Sequence, residues 1–344
     1  MPGEFRFSFG PWNIHEGADP FGPPVRDTVE FNNKLGVYKE LGFDGVQFHD
    51  DDAVPNLNDL SSDQIVKEAA AVRKRLDDHG LTAEFVAPRL WEDSRTIDGG
   101  YTSNDPRCRQ YAIERSKTAI DMANTLGTDL IVLWLAREGT YIRESKDSKQ
   151  AVEYLAAAIN AMLDHDPKIR IAIEPKPNEP MDQAFIPTTG HALALAQLTN
   201  APGRIGVNIE SAHVILAGLD PSDEMGLTLA LGKLWTVHLN DQNGLKFDED
   251  KSFGSVDLRR AFNQVRILDK YDYGKKGEWI GLDVKAMRSQ KAEVATKHLS
   301  NSKTVFLRLL ERVRSLDEAR IEELIAAWDY EELDLLITNH LLGG

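Results

Sequence analysis

The 344-residue chain carries 40 Lys and Arg against 55 Asp and Glu, a formal charge of -15, and 42% of its residues are hydrophobic. That acidity argues against nucleic acid as a partner, because such binding is driven by basic patches that release counterions. A single cysteine, Cys108, excludes an internal disulfide. The run Met1-Pro2-Gly3-Glu4-Phe5-Arg6 has no secretory pattern and no apolar run approaches the roughly 20 residues of a membrane span, so a cytoplasmic, non-membrane protein is expected.

In chain order, short apolar runs alternate with helix-period stretches. A first strand is expected over Phe5 to Phe9 and a second over Gly45 to Phe48, followed by a helix from Ser62 to Asp78 that Gly80 closes. A third strand, Thr82 to Ala87, leads into a helix from Asp105 to Leu126 that stops at Gly127. A fourth, Asp129 to Trp134, leads into Ala151 to Leu163. Strands follow at Ile169 to Glu174, Ile205 to Glu210, Trp235 to Asn240 and Trp279 to Lys285, with a helix from Asp257 to Asp269 before the last. Eight βα units in about 300 residues predict an α/β fold, a (β/α)8 TIM barrel, over residues 1–312. The competing doubly wound sheet would need a glycine-rich phosphate fingerprint, which follows none of these strands. Residues 313–344 are expected to form a further helical arm, with Ile321, Leu324, Ile325, Trp328, Leu333, Leu336 and Ile337 at helical spacing. Its apolar face packs either on its own barrel or on a second subunit, so a homo-oligomer, dimer or tetramer, is expected.

In such a barrel the chemistry belongs at the carboxyl ends of the strands. Strand five closes on Glu174, strand six on Glu210, strand seven contains His238 and strand eight Asp283. One such acid alone is ordinarily an ion-paired structural group, whereas four groups converging on one axis require a cation. His213 stands three residues after Glu210, on one side of a turn or helix start, and Asp248 and Asp250 are spaced so that an extended loop aims both the same way. Glu210 is placed to bridge two ions. Oxygen-rich sites with an imidazole suit Mg²⁺, Mn²⁺ or Co²⁺ better than structural zinc. Taken alone, the loop of Asp248 and Asp250 also reads as a solvated acidic turn.

On strand two, Asp52 is spaced either to orient the ring of His49 for proton transfer or to cap the following loop. Lys176, two residues after Glu174, leaves the strand on the same side; its ammonium either polarises a bound oxygen or pairs with Glu174. Trp12, Trp91 and Trp134, read at the ends of strands one, three and four, offer either a flat apolar wall or core packing.

The segment Glu174-Pro175-Lys176-Pro177-Asn178-Glu179-Pro180, with Phe48-His49-Asp50-Asp51-Asp52, Arg137-Glu138-Gly139 and Phe253-Gly254, resembles xylose isomerase, a two-metal aldose-ketose isomerase. The likeness runs from Phe9-Gly10-Pro11-Trp12 to His340-Leu341-Leu342-Gly343. It implies a barrel with a carboxyl-terminal helical arm, a tetramer built from dimers, an open-chain sugar substrate and a hydride shift between its C1 and C2. Carried onto matching positions, it implies two divalent metal ions, the first on Glu174, Glu210 and Asp283 and the second on Glu210, His213, Asp248 and Asp250. It also implies ring opening by His49 and Asp52, a carbonyl oxygen held by Lys176, and a hydride path shielded from water by Trp12 and Trp134. Phe21 would reach the active site of a neighbouring subunit, and the Glu179-Pro180 bond would be cis.

The chain also departs from that pattern. His238 aligns where xylose isomerase has an aspartate as fourth ligand of the first metal, and Trp91 replaces a phenylalanine of the substrate wall. Glu16 replaces a tryptophan, and Leu135-Ala136 a Gly-Gly pair. A histidine on strand seven is similar to rhamnose isomerase and to the ketose 3-epimerases, so the sugar need not be xylose. The expectation is a divalent-metal aldose-ketose isomerase. The alternatives are an epimerase or lyase acting on a keto-sugar with the same metals, and a non-catalytic sugar-binding protein, which the retained His49, Asp52 and Lys176 disfavour.

Overall fold

Parallel pairing in sequence order closes eight strands into a ring: β1 (Arg6–Phe9), β2 (Gly45–His49), β3 (Thr82–Ala87), β4 (Leu130–Trp134), β5 (Arg170–Glu174), β6 (Ile205–Glu210), β7 (Leu234–Leu239) and β8 (Trp279–Leu282). The structure is a computed structural model that describes residues 5–244 and 247–343; of the amino-terminal run read above, Met1 to Glu4 lie outside the described residues. The surrounding helices are α1 (Phe31–Glu40), α2 (Ser62–His79), α3 (Pro106–Leu126), α4 (Ser148–His165), α5 (Thr189–Gln197), α6 (Pro221–Ala230), α7 (Leu258–Lys270) and α8 (Lys297–Arg314). The expected (β/α)8 barrel is therefore the observed one. No helix among the described residues is long and apolar enough to cross a membrane.

Alternation along each strand splits the side chains into two sets. The outer set meets the helices: Phe9 stacks on Tyr38 of α1, Phe7 meets Phe306 of α8 edge-on, and Ile131, Ile171, Val207 and Ile280 continue the same core. The inner set fills the barrel, where Phe85, Ala87, Leu130, Val132 and Ala172 form a separate apolar cluster. The register slips once between β2 and β3, and once between β6 and β7. Each slip turns two successive residues towards the inside, as bulges do. Glu84 and Thr236, brought inside in this way, hydrogen-bond to each other across the barrel.

Several helix boundaries shift by a residue for a capping reason. Asp105 and Asp257, read as the first residues of helices, instead cap α3 and α7, accepting from the backbone N–H of Arg107 and Arg260. Gly80 and Gly127 end α2 and α3 at φ +68° and +87°, the left-handed stop that glycine permits. Strand eight is shorter than expected: its partners β1 and β7 stop opposite Leu282, so Asp283 and Lys285 lie just beyond the strand. Two of the tryptophans are likewise off their strands. Trp12 sits in a 3-10 turn after β1, and Trp91 in the loop after β3, while Trp134 does end β4. Beyond α8 the chain forms α9 (Glu318–Ala327) and α10 (Tyr330–Leu342). Ile321, Leu324 and Ile337 of this arm are buried on the same chain, whereas Ile325 and Trp328 are exposed.

One ion pair fixes the turn that carries His49. Asp50 is fully buried, and the guanidinium of Arg115 on α3 grips both its oxygens at 2.7 and 2.8 Å while the backbone N–H groups of Asp51 and Arg89 also donate to it. Removing one partner of such a pair leaves a buried charge uncompensated. Arg115→Met is expected to cost about 3–5 kcal/mol of stability, read by urea unfolding. A loss below about 1 kcal/mol would mean that the pair is not what holds this turn.

Candidate functional site

Barrel register sets the acidic groups at one level. Trp134 pairs across to Glu174, and Glu210 to His238, at the carboxyl mouth. Glu210 also opens a short helix, Ser211–Leu216, whose first turn places His213 back over it, with Nε2 at 3.2 Å from Glu210 and 3.0 Å from Asp248. His238 Nδ1 lies 3.4 Å from Glu174 and 3.5 Å from Glu210. Three groups of ligand-type atoms come together here: Glu174, Glu210 and His213; Glu210, His238 and Asp283; and Glu210, Asp248 and Asp250. Glu210 belongs to all three. A larger cavity of 1130 Å³ opens at the opposite mouth around Arg6, Trp235 and Trp279, but no such group lies there among the described residues.

Buried polar atoms are ordinarily paired. At this site Glu210 Oε2, Asp248 Oδ1, His213 Nδ1 and both ring nitrogens of His238 are buried without a hydrogen-bond partner. Acceptors left bare among like charges are what a divalent cation satisfies, so the donor set fits one. The electrostatics agree. Burial, then the fields of Glu174, Asp248, Asp283 and Asp250, push the Glu210 carboxyl well above its ordinary value of 4.5. Burial and Asp248 raise Asp250 too, against the pull of Lys285 at 2.9 Å. Burial also opposes ionisation of Asp248, but Lys176, 2.9 Å away, and His213 outweigh it and hold the carboxyl well below its usual range. Lys176 in turn stays charged: burial works against the ammonium, and Asp248 and Glu179 more than offset it.

A cavity of 470 Å³ lies over this cluster, between Trp12, Trp91 and Trp134. Trp91 and Trp134 meet edge to face at 4.5 Å, and the ammonium of Lys176 sits 5.1 Å from the Trp134 ring. Trp12 lies 4.1 Å from the His49 ring, and its indole N–H donates to Asp283 Oδ1 at 2.9 Å. His49 Nδ1 is 2.9 Å from Asp52. Every site residue named from the sequence is thus on this mouth except Phe21, which is 87% exposed on a turn closed by the Asp19 and Gly22 backbone and does not line the cavity of its own chain.

Residues 35–299 match the family described as xylose isomerase-like TIM barrel. The chain is 33% identical to the xylose isomerase of Thermus thermophilus over 94% of its own length and 84% of that protein's, and 34% identical to that of Thermus caldophilus over 96% and 85%. The chain belongs to the xylose isomerase-like TIM barrel family. Among solved structures it resembles a D-psicose 3-epimerase crystallised with D-fructose, with a TM-score of 0.63 and 14% identity over 89% of this chain and 99% of that one, a likeness of fold.

Within this family member, several residues of the mouth escaped the sequence reading. Asn208 donates to Glu174 at 2.6 Å, and Asn240 to Glu210 at 2.9 Å; each stands two residues before or after a singled-out strand residue, so the period of two could have found both. Lys285 follows Asp283 at the same interval. Arg89, Glu92 and Arg137 line the cavity from loops, where no period applies. The Arg137-Glu138-Gly139 motif is a brace. Arg137 Nε holds the Trp91 carbonyl at 2.8 Å, Glu138 accepts the N–H groups of Gly100, Tyr101 and Thr102, and a Cβ at Gly139 would lie 2.2 Å from the Gln183 carbonyl oxygen.

An acid whose value is raised on folding stabilises below its ordinary value and loses that contribution as pH rises through the raised one. The metal-stripped protein should therefore lose stability as pH climbs above about 4.5, and Glu210→Gln should flatten that loss. The same variant should lose the rise in melting temperature that Mn²⁺ gives the parent chain. Calorimetry in EDTA and in Mn²⁺ reads both effects; an unchanged slope in EDTA would clear Glu210 as the source of repulsion.

Proposed function

We propose that the protein is a divalent-metal-dependent aldose-ketose isomerase that moves hydrogen between C2 and C1 of an open-chain sugar. One observation carries the reading: acid and imidazole groupings that share Glu210 lie bare beneath a tryptophan-walled cavity of 470 Å³, with a charged Lys176 at its edge. The xylose isomerases to which the chain is 33–34% identical point the same way. Glu174, Glu210, His238 and Asp283 would hold one ion, and Glu210, His213, Asp248 and Asp250 the other, from among Mn²⁺, Mg²⁺ and Co²⁺. Bound there, such ions supply Lewis acidity to the sugar oxygens.

The remaining work falls to the chain's own side chains. Lys176 Nζ donates to the carbonyl oxygen and stabilises charge developing there. Converting aldose to ketose carries the C2 hydrogen to C1 with its electron pair, while O2 gives up a proton and O1 gains one. Trp12, Trp91 and Trp134 keep water from that path. His49, its Nδ1 2.9 Å from Asp52, would give the proton assistance that ring opening needs. A ketose epimerase or keto-sugar lyase is the second reading, favoured by His238. We also read the arm of residues 313–344 and the exposed Phe21 as parts of a homo-oligomer interface.

A screen of pentoses, hexoses, 6-deoxyhexoses and keto-sugars with Mn²⁺ should find conversion, and substrate deuterated at C2 should deliver the label to C1 of the product. Complete loss of label to water would replace the hydride shift by proton transfer.

An imidazole ligand favours Mn²⁺ and Co²⁺ over Mg²⁺. His238→Asp should accordingly raise activity in Mg²⁺ relative to Mn²⁺. Equal ratios in the two forms would remove His238 from the ligand set.

A further inference from the structure

The ring of His49 lies between two side chains that demand opposite roles of its Nδ1. Asp52 Oδ2, 2.9 Å away, would accept a proton from that nitrogen, yet Arg89 Nη2 contacts the same atom as a hydrogen-bond partner. A guanidinium carries donors only, so a ring nitrogen that bonds to it must present its lone pair. Asp52 has no need of the imidazole proton: its Oδ2 takes the His49 backbone N–H at 3.2 Å, and its Oδ1 takes Arg89 Nη2 at 3.1 Å. We propose that Arg89 is a positioning residue that locks His49 in the Nε2–H tautomer, so that His49 meets the sugar as a hydrogen-bond donor. The identity of the bonded oxygen rests on the isomerase reading above, whereas the tautomer does not.

The surroundings leave Nε2 free for that purpose. It has no protein partner among the described residues, and the ring lines the cavity between Trp12, 4.1 Å away, and Trp91 at 5.1 Å. Arg89 is itself held: its Nε lies 3.0 Å from Asp51 Oδ1, and Glu92 is 3.5 Å from Nη1. The other charged groups around the ring are already engaged or lie on other elements. Asp50 is bound by Arg115, the Lys34 ammonium of α1 donates to the Pro11 carbonyl, and His15 and Glu16 follow β1. Asp52 and Arg89 are therefore the pair in direct contact with Nδ1.

The test uses the full chain without sugar, labelled with ¹⁵N-histidine, with the His49 signals identified by their loss in His49→Gln. Long-range nitrogen–proton correlations should show Nε2 protonated and Nδ1 bare. In Arg89→Leu the proton should move to Nδ1, facing Asp52, and Arg89→Lys should restore the original pattern. An Nδ1–H tautomer in the parent chain, or an unchanged spectrum in Arg89→Leu, overturns the proposal. If Arg89→Leu does not fold, the parent spectrum alone decides. Absence of sugar conversion would count against the isomerase reading and leave the spectrum to stand by itself.

Discussion

Like charge gathered in a low-dielectric mouth is the constraint on which the site depends. Glu174, Glu210, Asp248, Asp250 and Asp283 meet at the mouth of the barrel, buried or half-buried, and burial alone would drive such groups to neutralise. The fold answers with donors from every side. Lys176 and Lys285 place ammonium groups on Asp248 and Asp250, Asn208 and Asn240 give amide N–H bonds to Glu174 and Glu210, and Trp12 and Asn13 both donate to Asp283. Even so, atoms facing the centre stay bare, and a cation there would complete the balance that the protein groups leave open.

The barrel makes such a concentration possible by fixing its parts from outside. Outward Ile, Val and Phe residues anchor each strand to a helix, so the inward residues at the strand ends are set to within the register of the sheet. The bulges on β3 and β7 add Glu84 and Thr236 to the interior below the mouth, tied to each other rather than left as unpaired polar groups. The turn after β2 is held by Arg115 from α3, a helix that contributes no residue to the acidic cluster among the described residues. Chemistry on one face of the barrel therefore depends on packing made elsewhere.

Much of this was legible in the sequence, and the boundary of legibility is physical. Strand ends could be read because alternation and a terminal acid coincide at Glu174 and Glu210, and both strands were found to the residue at that end. Short spacings could pair His213 with Glu210 and Asp248 with Asp250, whereas the meeting of the two pairs across 35 residues was implied only by the resemblance to xylose isomerase. What could not be read were contacts between loops distant in sequence. Arg89 touches His49 across 40 residues, and nothing in the period of either segment foretells it. The end of β8 was misplaced because the limit is imposed by neighbours: β1 and β7 stop pairing at Leu282, while the apolar run itself reads on. The arm divided where a single apolar stripe was expected: Ile321 and Ile337 are buried, whereas Trp328 is the left-handed residue that ends α9 and is exposed.

Trp12 joins two parts of the mouth that do not touch. Its indole N–H holds Asp283 of the acidic cluster, and its ring lies against His49, whose Nδ1 is 2.9 Å from Asp52. A shift in either partner moves the indole and so disturbs the other, and residues that share a packed intermediary do not contribute independently. Changes at Asp283 and at His49 should therefore be epistatic, each harmful or tolerated according to what the other has become. Over evolutionary time that linkage narrows the routes by which such a mouth can change: the acidic cluster and the pair of His49 and Asp52 must drift together, with the tryptophan between them as the shared constraint.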